Sequence, residues 1–96
     1  MREDIEYIVI NKVVNGDELA YRYIIDRYKN FVFNIAFKVL RNHEDAEEVA
    51  QDSFLKAYKA LEDFKGDCKF STWLYRIVFN TAVSKTRKKV STEKKR

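Results

Sequence analysis

The last third of the sequence carries a row of side chains whose chemistry suits nucleic acid. At about 100° per residue along a helix, one face holds Trp73, Arg76, Asn80, Ser84 and Arg87. An indole can stack on a base, a guanidinium can bind a phosphate, and an amide can hydrogen-bond a base edge. An ordinary helix with a half-buried tryptophan and solvated polar neighbours has the same pattern, so this row leaves both interpretations open.

The residues before this row alternate aromatic and basic types around a glycine. They are FKGDCKF at positions 64–70. Aromatic rings beside cations suit a loop that holds an unstacked base. A plain connection between two helices has a similar composition, so the loop by itself also allows two interpretations.

A second surface is acidic. Opposite the apolar stripe of one predicted helix lie Glu47, Glu48, Gln51, Asp52 and Leu55. A single exposed leucine usually has no special role. Flanked by an amide and a carboxylate, however, it can also centre a contact with a basic helical partner.

No pattern in the sequence favours catalysis. His43 stands near several glutamates, but one histidine among helix-surface carboxylates lacks the ligand set of a zinc or di-iron site. No glycine-rich phosphate loop is present. Cys68 lies near Lys65 and Lys69, but no base or orienting partner that would make its thiol a nucleophile is evident. We therefore expect no enzyme, no cofactor and no bound metal.

The apolar spacing predicts the helices that position these groups. It indicates a helix from residue 3 to about 14, then one long helix, or two with a break near Lys29 and Asn30. Asn42 is predicted to cap the next helix, and a last helix begins near Phe70 and frays past Val90. Zero prolines and two glycines argue against a turn-rich β fold. We expect an all-α fold, a compact bundle of four to five helices.

Further local signals refine this prediction. Gly16 is a plausible helix end, and Asp17 can cap the element that follows. The apolar stripes of the first two helical segments include Ile8 and Leu19. The stripes of the last two helices consist of Ala46, Val49, Ala50, Phe54, Ala57 and Leu61, and of Phe70, Leu74, Ile77, Val78 and Thr81.

Charge is unevenly spread along the 96 residues, whose net charge is +4. Residues 84–96 hold seven basic side chains and one acidic one, whereas residues 44–63 hold seven acidic and two basic ones. A basic end indicates either a polyanionic partner, most often nucleic acid, or a solvated tail. One cysteine fits a reducing compartment, and no apolar run approaches the ~20 residues of a membrane span. We expect a cytoplasmic protein without membrane insertion.

Three blocks together resemble region 2 of bacterial sigma factors, most closely the extracytoplasmic-function class. They are EDAEEVAQDSFLKAY at 44–58, FKG at 64–66, and FSTWLYRI with Asn80 in the helix that begins at Phe70. The resemblance covers residues 17–89, and the first helix matches more loosely. It implies a region 2 domain at 1–90 and the start of a basic linker at 91–96. Complete factors of this class continue into a region 4 domain for the −35 element, so we expect this chain to be part of a longer factor.

The resemblance also implies partners and roles. In that family the first block docks on the coiled coil of the largest subunit of core RNA polymerase, which would assign Glu47, Glu48, Gln51, Asp52 and Leu55 to polymerase binding. The loop and last helix of the family engage the promoter −10 element and capture a flipped base of the non-template strand. The corresponding DNA-binding residues here would be Phe64, Lys65, Lys69, Phe70, Ser71, Trp73, Arg76, Asn80, Arg87, Lys88 and Lys89.

We therefore expect a transcription initiation factor domain that binds core polymerase and recognises and helps melt the −10 element. An anti-sigma factor is a further expected partner, since such partners cover the same surfaces in this class. The alternative is a generic basic helical module for duplex DNA or RNA, without polymerase contact. That alternative has no use for the acidic face.

Overall fold

The computed structural model describes the backbone of residues 2–94 and the side chains of residues 6–88. Within this part of the chain there are four α-helices and two short 3-10 turns, and no strand. The helices are α1 (Arg2–Val14), α2 (Tyr21–Leu40), α3 (His43–Ala60) and α4 (Phe70–Lys94); the 3-10 turns are Glu18–Ala20 and Leu61–Asp63. The all-α prediction is confirmed.

The helix ends follow the local signals. Gly16 has a φ of +106°, a conformation that glycine adopts at little cost, and the chain reverses there after α1. The Asp17 carboxylate accepts a hydrogen bond from the Ala20 N–H at 3.3 Å and caps the first 3-10 turn. The Asn42 side chain accepts from the Asp45 N–H at 2.8 Å, which confirms the predicted cap of α3.

The first half of the chain departs from its predicted stripes. Leu19 is 81% exposed and Ile8 is 54% exposed, so neither belongs to the core. Leu19 lies in the 3-10 turn, whose tighter winding of about three residues per turn breaks the phase between α1 and α2. The buried residues in the described part of α1 are Ile10 and Val13, of which Val13 belongs to the predicted stripe and Ile10 does not.

The long central helix is continuous. α2 runs through Lys29 and Asn30 without a break, so of the two interpretations left open above, the single helix is the correct one. The backbone of α4 stays helical to Lys94, four residues beyond the point where fraying was expected. None of the helices that the structure describes has the length and apolarity of a membrane-spanning segment.

The core lies between α2, α3 and α4. The hydroxyl of Tyr21, at the start of α2, donates to the Phe54 carbonyl near the end of α3 at 2.6 Å, so these helices run antiparallel. α4 runs antiparallel to α3, because Lys56 contacts Thr81 while Glu48, further back on α3, contacts Lys85. The fully buried apolar side chains include Ile24, Val32, Ala36, Ala46, Ala57, Leu74, Val78 and Ala82. The predicted stripes of α3 and α4 thus face the core, and their polar faces point outward.

Candidate nucleic-acid interface

A short, sharply turned loop joins the second 3-10 turn to α4. Gly66 has a φ of +79°, and a Cβ placed there would meet nothing within 4 Å. Glycine is therefore required by the backbone conformation and not by lack of space. At the end of the loop, the Lys69 carbonyl accepts the N–H groups of Thr72 at 3.0 Å and Trp73 at 3.1 Å, which starts α4.

An aromatic cluster fixes this loop to the bundle. The Phe64 ring lies 5.3 Å from the Trp73 ring and 5.6 Å from the Phe70 ring, measured between centroids. Phe70 also contacts Tyr28 of α2 at 5.4 Å. Only 4% of Phe70 is exposed, whereas Phe64 and Trp73 are half-buried. Phe70 therefore packs between the loop and α2, whereas Phe64 and Trp73 keep part of their ring surface accessible.

Beside the loop lies an open cleft of about 790 Å³. Four residues from the predicted DNA-binding set line one side of it: Phe64, Lys69, Phe70 and Ser71. A second wall comes from α1 and α2 and includes Glu6, Tyr7, Arg27 and Tyr28. No local pattern in the sequence identifies this wall, because α1 and α2 meet the loop only through tertiary packing.

The wall is organised around one carboxylate. Glu6 Oε2 accepts hydrogen bonds from the Tyr28 hydroxyl at 2.6 Å and from Arg27 Nε at 3.0 Å. Burial, followed by the hydrogen bond to Glu6, raises the pKa of Tyr28 to about 12. The Arg27 guanidinium lies 5.8 Å from the centre of the Tyr28 ring. Tyr28 is therefore a neutral donor at ordinary pH and ties α1 to α2.

The row on α4 lies on the surface, as its spacing predicts. The exposed residues on this side of α4 are Arg76, Asn80, Ser84, Arg87 and Lys88. Trp73 belongs both to the row and to the aromatic cluster. Exposed guanidinium and ammonium groups along one face suit the phosphates of a strand that follows the helix. Two further members of the predicted set complete the picture: Lys65 is exposed in the loop, and the side chain of Lys89 lies outside the described residues.

The acidic face of α3 is also on the surface. Glu47, Glu48, Gln51 and Asp52 are exposed, and Leu55 is 55% exposed among them. These five residues, called the acidic face below, present one apolar side chain within a polar and negatively charged surround.

One ion pair joins the acidic face to α4. Glu48 Oε1 lies 2.9 Å from Lys85 Nζ. The hydrogen bond to Glu48 raises the pKa of Lys85, and the nearby charges of Asp45 and Asp52 act in the same direction. In the sequence Lys85 belongs to the basic end of the chain, but in the structure its side chain points toward α3 and pairs with Glu48.

Metal binding has no structural support in the part of the chain that is described. No group of three or more histidine, cysteine, aspartate or glutamate side chains is arranged there to hold an ion. The thiol of Cys68 is half-buried and borders the cleft.

Comparisons with known proteins agree with this geometry. The family model for Sigma-70 region 2 matches residues 24–92. The chain is 40% identical over 80 residues to the ECF RNA polymerase sigma factor SigW of Bacillus subtilis (strain 168), covering 83% of this chain and 43% of SigW. It is 38% identical over 77 residues to the ECF RNA polymerase sigma-E factor of Escherichia coli (strain K12), covering 80% of this chain and 40% of that factor.

A solved structure has the same fold. An engineered region 2 of sigmaE, determined by NMR in complex with GTAAAA, aligns with a TM-score of 0.77 and 37% sequence identity, covering 82% of each chain. The chain spans about two-fifths of the length of the curated relatives that it matches.

Proposed function

This chain belongs to the Sigma-70 region 2 family, and we propose that it is the part of a transcription initiation factor that binds core RNA polymerase and the promoter −10 element. One observation carries the proposal. Over 82% of its length the chain shares the fold of, and 37% sequence identity with, a region 2 determined in complex with the hexanucleotide GTAAAA, and its loop and α4 offer the aromatic and cationic surface that such a strand needs.

The proposed DNA contact is with an unpaired strand. Phe64 and Trp73 supply ring surface for a base that leaves the stack, and Arg76 and Arg87 supply charge for the backbone. Extruding a base from intact duplex costs a few kcal/mol, and a single strand avoids that cost. The domain should therefore bind the non-template strand of an opened promoter in preference to closed duplex.

The proposed polymerase contact is the acidic face. Its exposed carboxylates suit a basic helical partner such as a coiled coil of the largest polymerase subunit, and Leu55 offers apolar area at the centre of the contact. An anti-sigma factor that covers the acidic face or the DNA-binding side would compete with these contacts. Because this function is exerted at chromosomal promoters, we expect the protein to act in the cytoplasm.

The decisive experiment is an NMR titration of the 96-residue chain with single-stranded GTAAAA and with a duplex of the same sequence at matched salt. We expect tighter binding of the single strand, with shifts at residues 64–73 and along the exposed face of α4. Shifts confined to the acidic face would refute the DNA-binding site. Tighter binding of duplex would favour a generic duplex-binding module.

A matched pair of asparagines tests base recognition. Asn80 and Asn34 are both exposed, but Asn80 lies on the proposed DNA-binding face of α4 and Asn34 lies on α2. Asn80→Ala should reduce the discrimination between GTAAAA and single-base variants, because an amide that bonds a base edge is lost. Asn34→Ala should leave it unchanged. Equal effects of the two substitutions would contradict the assignment.

A further inference from the structure

The helix α1 contributes the aromatic side chain of Tyr7 to the cleft. Neither the sequence pattern nor the family resemblance assigns a role to this residue. Tyr7 is 59% exposed and lines the same cleft as the loop residues. Its neighbour Ile8 is exposed to a similar extent, 54%, but does not line the cleft. Exposed ring surface facing a cleft that holds other rings is the arrangement on which unpaired bases stack.

Tyr7 is held at a fixed place relative to the loop. Glu6, the residue before it, is bonded to Tyr28 and Arg27 of α2. Tyr28 in turn contacts Phe70 beneath the loop. This chain of contacts connects the two walls of the cleft, so the ring needs little rearrangement to meet a ligand that the loop also holds.

The size and charge of the cleft favour bases. Its volume of about 790 Å³ lies in the range of roughly 300–1,000 Å³ that encloses drug-sized ligands, and one base is smaller than these. The charged residues that line it are two cations, Arg27 and Lys69, and two anions, Glu6 and Asp67. This balance gives a phosphate no net attraction, while neutral aromatic surface remains on both walls.

We propose that Tyr7 stacks on a second base of the single strand, beside the one that the loop holds, so that α1 is part of the nucleic-acid interface. Glu6 is then a positioning residue, since it acts through the contacts that fix α1 to α2. This inference rests on the proposed function, because it requires a single strand in the cleft.

The test measures the affinity of the full 96-residue chain for fluorescent single-stranded GTAAAA by anisotropy. Tyr7→Ala should weaken binding about tenfold, the loss expected for one stacked base. Tyr7→Phe should bind within about twofold of the unchanged protein, since stacking needs the ring and not the hydroxyl. Phe37→Ala is the control, because Phe37 is a 37% exposed aromatic residue of α2 that stacks on Phe33 and does not line the cleft. Circular dichroism checks that each variant is folded.

A second measurement identifies the stacked base. Each position of GTAAAA is replaced in turn by an abasic nucleotide, and the effect of Tyr7→Ala is measured on every oligonucleotide. At the position that Tyr7 contacts, the substitution should cost nothing further, because the interaction is already lost. An equal loss at all positions, or no loss with Tyr7→Ala while the unchanged protein binds, overturns the inference and leaves the proposed function intact. Absence of any single-strand binding by the unchanged protein overturns both.

Discussion

Leu55 offers a direct test of the acidic face. Burying a fully exposed leucine side chain contributes about 1.5–3 kcal/mol, and Leu55 is 55% exposed in the free domain. A partner that covers the exposed part therefore gains about 1–1.5 kcal/mol from it. Leu55→Ala should weaken the affinity for core polymerase by about five- to tenfold. Because alanine has the highest helix propensity and Leu55 lies outside the core, the fold should be retained.

The assay is a competition experiment in which the variant displaces labelled, unchanged domain from core polymerase. Leu19→Ala is the control, because Leu19 is 81% exposed on the first 3-10 turn and is not part of the acidic face. Urea unfolding of each variant gives its stability independently. If Leu55→Ala competes as well as the unchanged domain, the acidic face is not the polymerase-binding surface. If both variants lose affinity equally, the effect is not specific to that face.

Four further predictions concern DNA binding and stability. Lys88→Ala should weaken binding to all single strands alike and reduce the slope of log affinity against log salt by about 0.7, which titrations at several salt concentrations measure; a sequence-dependent loss would contradict a phosphate contact. Gly66→Ala should lower the free energy of unfolding by about 1 kcal/mol, because the φ of +79° is strained for alanine although space is open; an unchanged urea midpoint would exclude this. Ser53→Ala should raise the free energy of unfolding by about 1 kcal/mol, since the buried Ser53 hydroxyl has no hydrogen-bond partner among the described residues; a lower urea midpoint would mean that the hydroxyl is bonded. The pKa of the Tyr28 hydroxyl is raised from 10.0 to about 12, so the hydroxyl's contribution to stability is complete below pH 10.0 and is lost as pH rises through about 12. The Tyr28→Phe variant should therefore lose less stability between pH 10.0 and about 12 than the unchanged protein, as urea unfolding at each pH measures. Equal losses would refute the role of the Tyr28 hydroxyl.

The buried faces of α3 and α4 were the features of the fold most predictable from the sequence. The stripes of α3 and α4 keep one period over several turns, and their members, such as Val49 and Leu74, are buried. The continuity of α2 could not be decided, because Lys29 and Asn30 are both exposed and a polar pair on the outer face is compatible with a helix or with a break. The prediction that Leu19 belongs to a buried stripe was wrong because a 3-10 turn changes the phase of the apolar pattern, and no residue type in the sequence marks that change.

The candidate site was predictable only where it is local. The loop and the row on α4 are contiguous in sequence, so composition and spacing identify them. The wall formed by Glu6, Tyr7 and Tyr28 depends on α1 packing against α2, across 22 residues for the Glu6–Tyr28 hydrogen bond, and no local pattern encodes that contact. The pairing of Lys85 with Glu48 could not be predicted for a related reason, since it exists only because α3 and α4 lie side by side.

The antiparallel packing of α3 and α4 allows the two proposed partners to bind at once. The buried stripes turn the acidic face and the proposed DNA-binding row of α4 outward from neighbouring helices, so surfaces of opposite charge share one small bundle. The pair of Glu48 and Lys85 marks the boundary between them, and such an exposed ion pair typically contributes about 0–1 kcal/mol. The apolar core, not this pair, holds the helices together. A basic polymerase helix can therefore replace Lys85 as the partner of Glu48 at little cost to the fold.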